Sequence, residues 1–178
     1  IAPFEAHDDV SLVYGRQTGD EDLTAFSEME IMRRWFPDKS DPDQDHPFCN
    51  NANCAVRASV WRELPYDELL TGLEDMAWAK RAQELWHRLW YEADAPIVHL
   101  HDEPFAKTVN RYRREAIAHK KIFGHQKMST FGAVGLFFAN TARDYIAAVP
   151  RRRLLRNIAA IPQFRAAQFW GSWKGFRQ

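Results

Sequence analysis

The feature that most restricts how this chain can fold is the segregation of its charge. Residues 1–104 carry 9 Lys and Arg against 22 Asp and Glu, a net of −13, while residues 105–178 carry 15 against 2, a net of +13. Two parts so different meet different surroundings. The basic part suits phosphate, an anionic membrane or the acidic part of its own chain. Over all 178 residues the charges cancel, and 46% apolar with 27% charged residues is the composition of a globular chain with a real core. Aromatic residues reach 13%, with seven tryptophans, which fits a ligand cleft, a membrane interface or a large core.

Hydrophobic patterning predicts alternating strands and helices. Residues 10–17, VSLVYGRQ, read as a short buried strand ending at Gly15, and residues 20–37 as a helix stopped by Pro37. Residues 38–47, DKSDPDQDHP, read as a solvated acidic loop without the spacing or closing glutamate of a calcium loop. A second helix is expected from Thr71 to about Trp90, with Ala79, Ala82, Trp86 and Leu89 on the face of Asp75. YEADAPIVHLH then gives a strand on which Ile97, His99 and His101 share one side. From Phe105 the pattern is helical and basic, with one helix ending at Gly124, another closed by Pro150, and a tail that alternates arginines with aromatics. The longest unbroken apolar run, residues 131–139, falls far short of the ~20 residues that span a bilayer. Cys49 and Cys54 lack the spacing and the second pair of a zinc site and read as free thiols. The chain starts at Ile1 without a signal-peptide pattern and reads as part of something longer.

Four groups of residues can carry chemistry. Thr71 and Glu74 fit a capping box, which explains Glu74 but leaves Asp75 beside it. An aspartate in a first helical turn is kept ionised by the macrodipole and is either a routine helix-start acid or a proton acceptor facing a cleft. His99 and His101 are either metal ligands, with Asp102 and Glu103 around them, or polar decoration of a strand edge. Asn50, Asn51, Asn53 and Arg57 crowd one short segment, and amides and a guanidinium hold hydroxyls and phosphates or build a turn. Arg111, Arg113, Arg114, Lys120 and Lys121 clamp a diphosphate, lie on an anionic surface or form a solvated helix face.

The order of these groups is distinctive. VYGRQ, NNANCAVRASVW, LPYDELLTGLEDMAWAKR, WYEADAPIVHLH and RYRREA follow one another along the chain. In that order they resemble the second half of a family-two inverting glycosyltransferase with the GT-A fold, of the rhamnosyltransferase-like kind. The resemblance covers nearly the whole chain, and the Glu-Asp pair before a Trp-Ala-x-Arg helix, with histidines on the next strand, is its specific part. It implies an α/β fold: the C-terminal half of a GT-A (Rossmann-like, mixed-sheet) domain over 1–104, followed by a basic helical region over 105–178. It implies that Asp75 is the base that deprotonates an acceptor hydroxyl, with Glu74 as its partner acid. His99 or His101, with a slight preference for His99, would help hold a divalent metal, Mg or Mn, on the donor diphosphate. Asn51, Asn53 and Arg57 would line the cleft, Arg16 and Gln17 would form a GRQ turn near it, and Arg111 and Arg114 would reach the diphosphate.

The partners so implied are a nucleotide-sugar donor and a saccharide or lipid-linked acceptor, in cell-surface polysaccharide synthesis. The implied location is the cytoplasm, at the inner face of the cell membrane, and no nucleic acid is expected. The family's first half, with its Asp-any-Asp motif, is expected upstream of Ile1; His7, Asp8 and Asp9 do not replace it, and no activity is expected from these residues alone. The basic tail with Phe164, Phe169, Trp170 and Trp173 suits an anionic membrane face or docking onto the acidic part. Two rival readings remain: a membrane-surface or nucleic-acid binding module using that tail, and a metal-dependent hydrolase using Asp75, His99 and His101.

Overall fold

The computed structural model describes residues 1–178 apart from Asp102 and His125. The fold is α/β. Among the described residues there are eight α-helices, one short 3-10 turn and three strands. The chain divides into two compact units, Ile1–Thr18 with Met32–His99, and Gly19–Ile31 with Leu100–Gln178.

The first unit is organised by strand β1 (Val10–Thr18), whose sequence VSLVYGRQT is β-branched and apolar at its start and is buried except at Val13, Arg16 and Thr18, which are partly exposed. It lies between β2 (Cys54–Val56), antiparallel, and β3 (Arg88–Val98), parallel. The strand does not end at Gly15. After a bulge, Gln17 and Thr18 pair with Ile97 and Val98 of β3. Gly15 is needed for close approach, because a Cβ there would sit 2.2 Å from the Ala95 carbonyl oxygen and 2.3 Å from the Asn53 amide nitrogen.

Helices α1 (Ala2–Ala6), α3 (Ala58–Glu63) and α4 (Glu74–Glu84) belong to this unit. Helix α2 (Phe26–Trp35) is shorter than the sequence suggests, because Asp20 first caps a turn by accepting the N–H groups of Asp22 and Leu23. The division between the units falls within α2. The core gathers Leu12 and Tyr14 of β1, Met32 and Phe36, Trp78, Ala79 and Ala82 of α4, and Leu89, Tyr91 and Ala93 of β3. The acidic loop is not wholly solvated: Asp41 bridges Tyr91 through the backbone, and buried Gln44 accepts the Tyr14 hydroxyl.

Helix α4 differs from expectation at both ends. Its N-cap is Leu73, in the left-handed region at φ 56° after Gly72 at φ 157°, so Thr71 is not the cap and no capping box forms. It stops at Glu84, not near Trp90. The N–H of Trp86 bonds the Gln83 carbonyl and that of His87 the Ala82 carbonyl, the Schellman pattern. Trp86 then takes the left-handed position, φ 66°, that usually belongs to glycine. Leu89 is therefore buried from a strand, by the alternation of β3, and not from the helix face.

The second unit is helical. Helix α5 (Phe105–Phe123), α6 (Thr130–Ala148), the short α7 (Leu154–Asn157) and α8 (Ala160–Phe176) follow the predicted order, and α5 ends at Gly124, φ 79°. Gly171 lets α8 lie against α5, since a Cβ there would meet the Val109 carbonyl oxygen at 2.3 Å. Buried Arg165 of α8 grips Asp144 of α6 with two hydrogen bonds, Nε to Oδ2 at 2.7 Å and Nη2 to Oδ1 at 2.9 Å, and the Ser27 hydroxyl donates to the same carboxylate at 2.6 Å. Breaking such a buried pair from one side costs about 3–5 kcal/mol.

The Trp86 ring is 92% exposed, so its removal loses little packing. Trp86→Gly is expected to raise stability by about 0.5–1 kcal/mol through relief of the left-handed backbone. Urea unfolding followed by circular dichroism tests this. A loss of stability would show that the indole packs in a way the strain argument omits.

Candidate active site

The turn of residues 50–53 gathers the polar groups of the first unit. Its 3-10 helix, Asn51–Asn53, is capped by Asn50, whose Oδ1 accepts the Ala52 N–H at 3.0 Å. The same oxygen accepts Gln17 Nε2 at 2.8 Å. The Asn51 N–H donates to Asp75 Oδ2 at 3.0 Å, and the Asn51 side-chain oxygen accepts the Tyr66 hydroxyl at 3.0 Å. The Asn53 amide donates to the Ala95 carbonyl at 2.7 Å and the Arg16 carbonyl at 3.4 Å, closing the bulge between β1 and β3.

Asp75 is the second residue of α4 and only 9% exposed. Its Oδ1 accepts the Met76 N–H at 2.8 Å. Burial raises the carboxyl's proton affinity above the ordinary aspartate value; the N–H donors of Asn51 and Met76 oppose this and the neighbouring Glu74 adds to it. The macrodipole alone suggests the opposite direction, and desolvation wins. Burial also pushes the Cys54 thiol up to about 12, with Asp75 contributing, and raises Cys49 and Tyr66 in the same way. Both cysteines are free thiols. An ionised carboxylate has about four acceptor positions, so two backbone donors leave capacity for a substrate hydroxyl.

The histidines do not form the expected pair on one strand face, because β3 ends at Val98. His99 donates or accepts through Nδ1 at Gln17 Oε1, 2.6 Å away. The polarity is fixed by the rest of the chain: Ala52 N–H makes Asn50 Oδ1 an acceptor, Gln17 Nε2 donates to it, and Gln17 Oε1 must then accept. His99 therefore carries a proton on Nδ1, which fixes the orientation of its ring. His101 belongs to the second unit, where its Nδ1 lies 2.7 Å from Glu28 Oε1.

The remaining predicted residues separate. Arg57 is spent on backbone, donating to the carbonyls of Val10, Phe4 and His7 at 2.8–2.9 Å. Arg16 and Gln17 lie on a strand and not in a turn; Arg16 pairs with Asp38 and Gln17 with Asn50. Arg111, in the second unit, is clasped by Glu103 at 2.6 Å and Glu28 at 2.8 Å, with Glu115 at 4.0 Å. Arg114 is exposed on α5, and Asp102 lies outside the described residues. Among the described residues no group of three or more His, Cys, Asp or Glu stands ready to hold a metal ion. Toward such an ion the first unit offers one oriented imidazole and not a complete site. Tyr66 and the capping role of Asn50 escape the sequence reading; the crowding of asparagines is their only signal.

Comparison with protein-family models, with curated proteins and with solved structures finds no match to this chain.

The hydrogen-bond chain makes a checkable statement about His99. At about pH 8, long-range proton–nitrogen correlation is expected to give a protonated Nδ1, and Gln17→Leu is expected to release that preference. An unprotonated Nδ1 in the unsubstituted protein would reverse the polarity assigned to the whole chain.

Proposed function

We propose that this chain carries the acceptor-activating part of an inverting glycosyltransferase of the GT-A kind. Asp75 takes the proton from an acceptor hydroxyl. The oxygen attacks the anomeric carbon of a nucleotide sugar from the face opposite the leaving group. The bond from that carbon to the diphosphate oxygen breaks, and a nucleoside diphosphate departs. One new glycosidic bond replaces one sugar–phosphate bond, and the proton ends on Asp75.

The observation that carries this reading is Asp75 itself, a buried carboxylate held in place by the Asn51 and Met76 N–H groups. Its burial favours taking a proton, which is what a base for a sugar hydroxyl requires. The ordered resemblance adds the reaction class. The sheet, with β1 and β3 parallel and β2 antiparallel, agrees with the mixed sheet expected of such a domain. His99 and not His101 is the imidazole that sits with the Asn50–Gln17 network and would meet a donor-bound divalent cation, lending Lewis acidity to the leaving diphosphate. Asn51 and Gln17 act by positioning the base and this imidazole. A nucleotide sugar is the donor and a saccharide or lipid-linked hydroxyl the acceptor.

The test is Asp75→Asn in the native protein, with sugar transfer measured from a panel of nucleotide sugars and nucleotide binding measured alongside. Transfer is expected to fall by about 10²–10⁴-fold with nucleotide binding kept. Transfer within about twofold of the unsubstituted protein would remove Asp75 from the role of base.

A further inference from the structure

The second unit exposes apolar surface that its own packing leaves uncovered. On α6, Phe131, Val134 and Phe138 stand at positions i, i+3 and i+7, one helical face, and are 91%, 48% and 64% exposed. Next to this ridge lies a groove of about 480 Å3, walled by Phe105, Val134, Phe137, Phe169, Trp170 and Trp173. Among the described residues that line it, Thr130 alone carries a hydroxyl, which accepts the Trp173 indole N–H at 3.3 Å. Surface of this kind marks an interaction site.

The edge of the groove identifies the occupant. Trp170 and Trp173 stack with centroids 5.2 Å apart, and each carries a cation: Lys174 Nζ lies 4.8 Å from the Trp170 ring and Arg177 lies 4.6 Å from the Trp173 ring. Indole beside ammonium or guanidinium, next to bare hydrocarbon, is the pattern of a surface half in lipid and half among headgroups. The charge at the edge agrees: Arg111, Arg151, Arg153, Arg156 and Arg165 are paired with acids elsewhere in the unit, while Lys174 and Arg177 rest on the indoles. A protein interface carries roughly one hydrogen bond per 100–200 Å2, and among the described residues the groove lining offers only the Thr130 hydroxyl and two indole N–H groups as polar side-chain groups. A second copy would bring one basic face against another. Among the described residues no helix is long and apolar enough to cross a membrane, so the surface would lie on a bilayer and not span it.

We propose that the Phe131–Val134–Phe138 ridge and the α6–α8 groove dock on an anionic lipid bilayer, with Lys174 and Arg177 at the headgroups and the ridge among the chains. This stands apart from the transfer reaction and holds whether or not Asp75 is a base.

Vesicles test it directly. The full chain is mixed with vesicles of phosphatidylcholine alone, and with vesicles containing phosphatidylglycerol, and bound protein is measured by sedimentation. Brominated acyl chains report insertion by quenching tryptophan fluorescence. Binding is expected only with phosphatidylglycerol present, together with quenching. Phe131→Ser with Phe138→Ser is expected to weaken binding at least tenfold, and these exposed positions leave the fold intact by circular dichroism. Lys174→Glu with Arg177→Glu is expected to weaken it at least tenfold as well. Three results would overturn the proposal: no binding to either vesicle, binding without quenching that ignores the Phe substitutions, or self-association in lipid-free solution that those substitutions abolish.

Discussion

The turn of residues 50–53 holds the first unit's polar architecture together. Asn50 caps the turn and takes the Gln17 amide, Asn51 offers its N–H to Asp75, and Asn53 spans the bulge between β1 and β3. Two strands and the start of α4 are thus positioned by one short segment. Each bond contributes only about 1 kcal/mol net, but leaving any one partner buried and unpaired costs more. The arrangement is therefore specific out of proportion to its size. It fixes the Asp75 carboxylate and, through Gln17, the ring of His99.

The long amphipathic helices were legible because their signals agree: α5 ends at a glycine in the left-handed region, and α6 starts at a serine cap and stops just before Pro150. The central strand was legible in its apolar run but not in its length, which depends on pairing with Ile97 and Val98 far along the chain. The end of α4 was hidden because Trp86, not glycine, occupies the left-handed C-cap position. With no stop signal, the helical spacing of Ala79, Ala82, Trp86 and Leu89 runs on into what is β3. A separate overextension, of the strand past Val98, placed His99 and His101 on one face, where in fact each ring finds its own partner. Asp75 was visible as an unexplained acid, but the desolvation that sets its proton affinity is a property of packing, which no local pattern encodes.

The charge segregation finds part of its explanation inside the second unit. Residues 19–31 bring acids to the basic helices: Glu30 pairs with Arg151, Glu21 with Arg153, Asp22 with Arg156 and Glu28 with Arg111. The exposed pairs at Arg153 and Arg156 add little stability, about 0–1 kcal/mol each, whereas Glu28 and Arg111 are largely buried. Lys174 and Arg177 rest instead on indole rings. The cations that the unit neutralises and those it leaves at an apolar edge are different residues, which is what separates a structural role for the charge from a binding one.

The central physical claim is that burial outweighs two N–H donors at Asp75 and leaves a base of raised proton affinity. A pH titration of the carboxyl carbons by NMR, with Asp75→Asn to assign the resonance, measures that balance without a substrate. A midpoint clearly above the ordinary aspartate value of about 3.9 is predicted. A midpoint at or below about 3.9 would mean that the Asn51 and Met76 hydrogen bonds dominate, and that Asp75 is a capping carboxylate and not a poised base.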